Sequence, residues 1–158
     1  MERATSLRIV IALVITALVA GLTLVLLPGE GDAKVTKLTA RLRGSEATDE
    51  NGRGRAIVKM DPRERTVCFN LSWNRIGQPF AAHIHDGGPG EDGPIVVPFF
   101  NAPTPEDALP EPISAVRGCV TDVQRSLIRG ILRNPGDFYV NVHNADFPPG
   151  AIRGQLRK

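Results

Sequence analysis

The three histidines of this chain fall in two short alternating segments. These are Phe80-Ala81-Ala82-His83-Ile84-His85 and Asp137-Phe138-Tyr139-Val140-Asn141-Val142-His143. Neutral imidazole suits copper, zinc or nickel, and three imidazoles with one open position suit a catalytic or redox ion better than a closed structural one. In a β-strand successive side chains alternate between faces. His83 and His85 therefore share one face, with Phe80, Ala82 and Ile84 on the other. His143 shares its face with Tyr139 and Asn141, opposite Phe138, Val140 and Val142. If the two strands are neighbours, three rings converge as a metal site. Residues i and i+2 stand about 7 Å apart along a strand, so the pair needs the adjacent strand to close on one ion. The competing reading is structural: each ring hydrogen-bonds turn backbone and finishes the sheet.

The elements that must position these rings are short and mostly β. Leu38, Ala40 and Leu42 alternate with Thr39, Arg41 and Arg43 in a first strand. Ala56, Val58 and Met60 mark a second. Val67, Phe69, Leu71 and Trp73 form the core face of a third, with Cys68, Asn70 and Ser72 outside. The histidine strand, residues 79–85, is fourth, and a glycine-rich acidic loop from Asp86 to Gly93 follows. Pro94–Phe99 is a fifth strand and Ile113–Val120 a sixth, separated by a proline-rich loop. Asp122 is placed to cap a short helix whose stripe is Val123, Leu127, Ile128, Ile131 and Leu132, stopped by Asn134-Pro135-Gly136. Phe138–His143 is the seventh strand and Ala151–Leu156 the last. The pattern predicts an all-β fold, an antiparallel Greek-key sandwich or barrel of about eight strands with one short helix.

Ahead of this domain, Ile9–Leu27 is an uncharged run of 19 residues, long enough to cross a hydrocarbon core of roughly 30 Å as a helix. Arg3 and Arg8 precede it, and Glu30 and Asp32 follow it, which places the body outside the cytoplasm. The expected layout is a cytoplasmic segment 1–8, a transmembrane anchor or signal segment 9–27, a linker 28–34 and a domain 35–158. A cleaved, secreted form is the alternative. The whole chain has 19 basic and 17 acidic residues. Two of the former and three of the latter precede residue 34, leaving 17 against 14 in the body. That balance is too mild for a nucleic-acid footprint.

Cys68 and Cys119 are the two cysteines. Outside the cytoplasm an even pair is expected as a disulfide. No serine–histidine–acid arrangement, phosphate-binding glycine loop or paired catalytic carboxylates stands out. The acidic loops, Asp86 to Asp92 and Glu106 to Glu111, lack the dense ligand spacing of a calcium hand. Arg125, Arg129 and Arg133 make a basic helix face, read as solvated.

Taken together, Leu38-Thr39-Ala40, Ala81-Ala82-His83-Ile84-His85 with Gly87-Gly88 and Gly93-Pro94-Ile95-Val96-Val97, Tyr139-Val140-Asn141-Val142-His143, and Pro149-Gly150-Ala151-Ile152-Arg153-Gly154-Gln155-Leu156 closely resemble the CHRD domain. That domain, first described in the secreted protein chordin, also occurs in many bacterial secreted or anchored proteins. The resemblance spans residues 38–156 and implies an exported β-domain without specifying an activity. The layout is also similar, more weakly, to the copper half of Cu/Zn superoxide dismutase. That similarity implies His83, His85 and His143 as copper ligands and Arg153 as an anion-steering residue. The enzyme's further histidine, which bridges copper to zinc, has no counterpart here. Two functions follow as expectations. The first is a membrane-anchored extracytoplasmic binding or structural module with a protein or envelope partner. The second is a copper-binding (or zinc-binding) redox protein using the three histidines.

Overall fold

The computed structural model of the chain describes residues 34–45 and 48–158. Eight strands appear: β1 (Thr36–Arg43), β2 (Arg53–Asp61), β3 (Thr66–Asn74), β4 (Pro79–Asp86), β5 (Ile95–Asn101), β6 (Ala115–Val120), β7 (Phe138–Asn144) and β8 (Ile152–Gln155). One helix, α1 (Arg125–Arg133), lies between β6 and β7. The strands form a single antiparallel sheet in the order β5-β4-β7-β8-β1-β2-β3-β6. The sheet curls into a near-barrel. Its edges, β5 and β6, approach each other, and beside them Phe69 of β3 stacks on Phe99 of β5 with ring centroids 4.5 Å apart.

Alternation drives this closure. Leu38, Ala40 and Leu42 of β1, Ala56, Val58 and Met60 of β2, and Val67, Phe69, Leu71 and Trp73 of β3 all turn inward and are buried. The alternate residues between them, mostly charged or polar with Ile57 an exception, turn outward. Ala82 and Ile84 of β4 and Val140 and Val142 of β7 complete the core from the opposite wall. Among the described residues every member of the core lies between Leu38 and Leu156. Cys68 and Cys119 face each other across β3 and β6 and form the expected disulfide. It staples β6, an edge strand with one neighbour, to the sheet.

Two expectations change. The helix is not capped by Asp122. It starts three residues later behind Gln124, which makes no side-chain cap bond. Asp122 takes a left-handed backbone, φ 60°, a conformation that Asp tolerates better than most residues. Its carboxylate lies 3.6 Å from Arg65 instead. The last strand is also shorter than its apolar pattern, ending at Gln155. Among the described residues no helix is long and apolar enough to cross a membrane. The run Ile9–Leu27 lies outside the described residues.

Candidate metal centre

β4 and β7 are direct neighbours, in antiparallel register with His83 opposite Asn141, His85 opposite Tyr139 and Ala81 opposite His143. The parity read from the sequence holds for the histidines, Ala82, Ile84 and β7, but not for Phe80, which sits at a register irregularity outside the core with its ring 6.3 Å from that of His143. Ala82, Ile84, Val140 and Val142 face the barrel interior. His83, His85 and His143 share the outer face with Tyr139 and Asn141. One feature is not visible from parity: this outer face is itself buried. All seven residues of β7 are buried, and His83, His85 and His143 expose only 6, 8 and 7 % of their surface. Two connections fold over the strands to cover them, the loop from Gly87 to Gly93 and the turn from Ala145 to Gly150.

The three rings converge. Their centroids are 4.9 Å apart for His83–His143, 5.7 Å for His83–His85 and 6.0 Å for His85–His143. One ring nitrogen from each lies within 4.8 Å of the others. The covering loops choose which nitrogen that can be. The carbonyl of Gly93 is 2.9 Å from His85 Nδ1, and the carbonyl of Pro148 is 2.8 Å from His143 Nδ1. A carbonyl can only accept, so both Nδ1 atoms carry the proton and both Nε2 atoms keep a lone pair. His83 Nδ1 lies 3.2 Å from His143 Nε2. His85 Nε2 is buried with no hydrogen-bond partner. An orphaned buried acceptor costs roughly 1–3 kcal/mol, unless something electropositive comes to it.

Part of the structural alternative is therefore present, since two rings do hydrogen-bond turn backbone. Those bonds engage only one nitrogen of each ring. The same carbonyl contacts are the outer-shell partners that orient a ligating histidine and fix its tautomer.

Residues 38–156 match the CHRD domain family. The chain belongs to that family. The matched region opens on Leu38 in β1 and closes on Leu156 just after β8, so it takes in all eight strands but for the first two residues of β1. No curated protein and no solved structure matches the chain.

Within this CHRD domain the electrostatics favour neutral rings. Burial, reinforced by the neighbouring His143 and His85 rings, pushes His83 from 6.5 down to about 4, against an upward pull from a hydrogen bond with the Asn101 side chain. His143 is lowered as well. Burial is the main cause, the bond to the Pro148 carbonyl opposes it, and His85 adds to it. A neutral imidazole has its lone pair available at pH 7, which is the form a metal requires.

Arg153 is not brought into the triad. Its Nη1 is 2.6 Å from Asp92 Oδ1, and its Nη2 donates to the Glu91 carbonyl at 2.5 Å. Its guanidinium lies 4.1 Å from the centroid of the Tyr139 ring. Tyr139 in turn stacks on His85, centroids 4.9 Å apart and planes within 11°. The arginine thus clamps the Gly87–Gly93 loop over the histidines, with its charge already matched by Asp92. The acidic loops do not assemble a second cluster: among the described residues the three histidines are the group of His, Cys, Asp and Glu placed to hold a metal.

The sequence reading missed Gly93 and Pro148, because they act through backbone carbonyls that any residue type could offer. It also missed Tyr139 as the plate beneath His85. Its shared parity with His143 was the available signal, but the stack depends on a pairing register that parity alone does not specify.

Proposed function

We propose that this protein is an exported CHRD-domain module that binds one copper or zinc ion through His83, His85 and His143. The observation that carries the reading is the orphaned His85 Nε2, buried beside two other imidazoles whose orientation the covering loops dictate. All-imidazole donors of this kind suit copper and zinc. Two nitrogens on one tetrahedral ion with bonds of 2.0–2.1 Å sit about 3.3 Å apart, close to the His83–His143 spacing of 3.2 Å. The widest spacing, up to 4.8 Å, requires His85 to lean inward. His85 and His143 bind through Nε2 with no change of tautomer. His83 contributes Nδ1 with its proton on Nε2. A copper ion held there adds one-electron redox capacity, whereas zinc would not. The proposal stops at binding, because the chain has no fourth histidine and Arg153 is tied to Asp92.

The Cys68–Cys119 disulfide supports an oxidising compartment, and the Ile9–Leu27 run with Arg3 and Arg8 before it supports tethering with the domain outside.

The test uses residues 34–158 titrated with cupric ion, with stoichiometry from calorimetry and coordination from electron paramagnetic resonance. One-to-one sub-micromolar binding with nitrogen coupling, lost in His83→Ala and His143→Ala, supports the site. Binding that survives both substitutions removes it. A reporter fused after Lys158 should be active outside the cytoplasm, and cytoplasmic activity removes the export part alone.

A further inference from the structure

The outer faces of β1 and β2 carry cations opposite cations. Lys37 pairs with Lys59, Arg41 with Arg55 and Arg43 with Arg53 in the antiparallel register. Arg43 also faces Arg153 on β8, so three arginines stand side by side on adjacent strands, about 4.8 Å from one strand to the next. Like charges directly opposite each other destabilise a sheet. Natural surfaces usually interleave signs, and this face carries one acid, Asp61 at the end of β2, against its row of cations. Lys37, Arg41, Arg43, Arg55, Lys59 and Arg117 have no carboxylate partner among the described residues. A groove of about 520 Å³ opens on the same face between Lys37, Lys59 and Arg117, with Ile57 and the disulfide among its lining. The mild net charge of the domain hides this concentration, because most of the acids lie elsewhere, and Asp61 at the end of β2 accepts from the Arg63 and Glu64 backbone amides.

We infer that the outer face of β1 and β2, extended by Arg117 of β6, is a docking surface for anionic phospholipid headgroups. Charge complementarity selects a polyanionic partner. The tether selects the membrane: six residues separate Leu27 from Lys34, a reach of at most about 25 Å. Lys37 then stands at the start of β1, where the chain enters the domain. Val35, one of two exposed large apolar side chains among the described residues, immediately precedes that strand and can enter the interfacial region. A domain held this close to an anionic leaflet lies within a few Debye lengths of it at physiological salt, where attraction is about 8 Å in range. This inference is independent of the histidine site and rests only on the exported, tethered reading.

The experiment is co-sedimentation of residues 34–158 with vesicles of phosphatidylcholine alone or with 30 mol% phosphatidylglycerol. Binding is expected only to the anionic vesicles, and it should fall at least tenfold between about 50 and 500 mM salt. Each basic residue near such a surface contributes on the order of fivefold, so R55E/K59E should reduce partitioning by roughly 25-fold or more. The same variant places an acid opposite Arg41 and Lys37, so its melting temperature should hold or rise, which separates lost docking from lost folding. Equal binding to both vesicle types, or salt-insensitive binding, overturns the inference. So does binding to an anionic polysaccharide with none to the vesicles. Because the vesicle assay uses no tether, a negative result here is distinguishable from a cytoplasmic reporter signal, which bears on the tether alone.

Discussion

Acidification should destabilise the metal-free domain through His83. The sign follows from where the proton binds. The unfolded chain offers His83 an ordinary pKa near 6.5, and burial in the fold lowers it to about 4. Between these values the unfolded state binds more protons, so stability rises with pH across the window. The contribution is fully present above 6.5 and is lost progressively as pH falls toward 4. For a single site with those two values, moving from pH 7.5 to 5 removes roughly 2 kcal/mol. His143, lowered in the same direction, adds to the loss. For a domain of this size 1 kcal/mol is worth about 4 °C, so the melting temperature should drop by roughly 8 °C. The assay is thermal denaturation by circular dichroism in chelator-treated buffer at half-unit pH steps, alongside His83→Gln, which cannot titrate there. Histidine is the one side chain whose ordinary pKa lies in this range, so the variant should reduce the slope and leave the share that His143 contributes. A wild-type profile flat from pH 7 to 5, or an unchanged slope in His83→Gln, would refute the burial argument.

Two other perturbations probe separate parts of the construction. Removing the disulfide as Cys68→Ser with Cys119→Ser opens a loop of separation 51 and should cost up to about 4 kcal/mol by chain entropy, measured by urea unfolding; a loss below about 0.5 kcal/mol would mean β6 is held by other contacts. In Gly93→Ala the new Cβ would fall on the Asp86 carbonyl oxygen, so backbone must shift. The Gly93 carbonyl should then leave His85 and weaken copper affinity 10–100-fold by calorimetry, while affinity equal to wild type would show that this carbonyl does not orient the ring.

Much of the barrel was readable residue by residue. A two-residue period is a local property, so Val67-Cys68-Phe69-Asn70-Leu71-Ser72-Trp73 declares its inner and outer faces without reference to any partner strand. The same locality put His83 and His85 on one face and His143 with Tyr139 and Asn141. The Cys68–Cys119 pairing was readable because two cysteines allow one bridge. The family resemblance read from the histidine segments and the Gly-x-Ile-Arg-Gly ending also stands, since the matched region is the same 38–156. Asp122 misled because its composition fits a cap, while the turn that precedes α1 needed a left-handed residue at that position.

What remained hidden depends on contacts between distant parts of the chain. Alternation cannot say that β4 lies beside β7, that Ala81 rather than His83 faces His143, or that the loops from Gly87 and Ala145 fold back to bury an outer face. Those facts turn three histidines of matched parity into a buried cluster, with the tautomer selected for His85 and His143. They also tie Arg153 to Asp92, 61 residues away, and set Arg41 against Arg55 and Lys37 against Lys59. Side-chain direction follows from backbone geometry within one strand, whereas register and loop cover follow from the packing of the whole barrel.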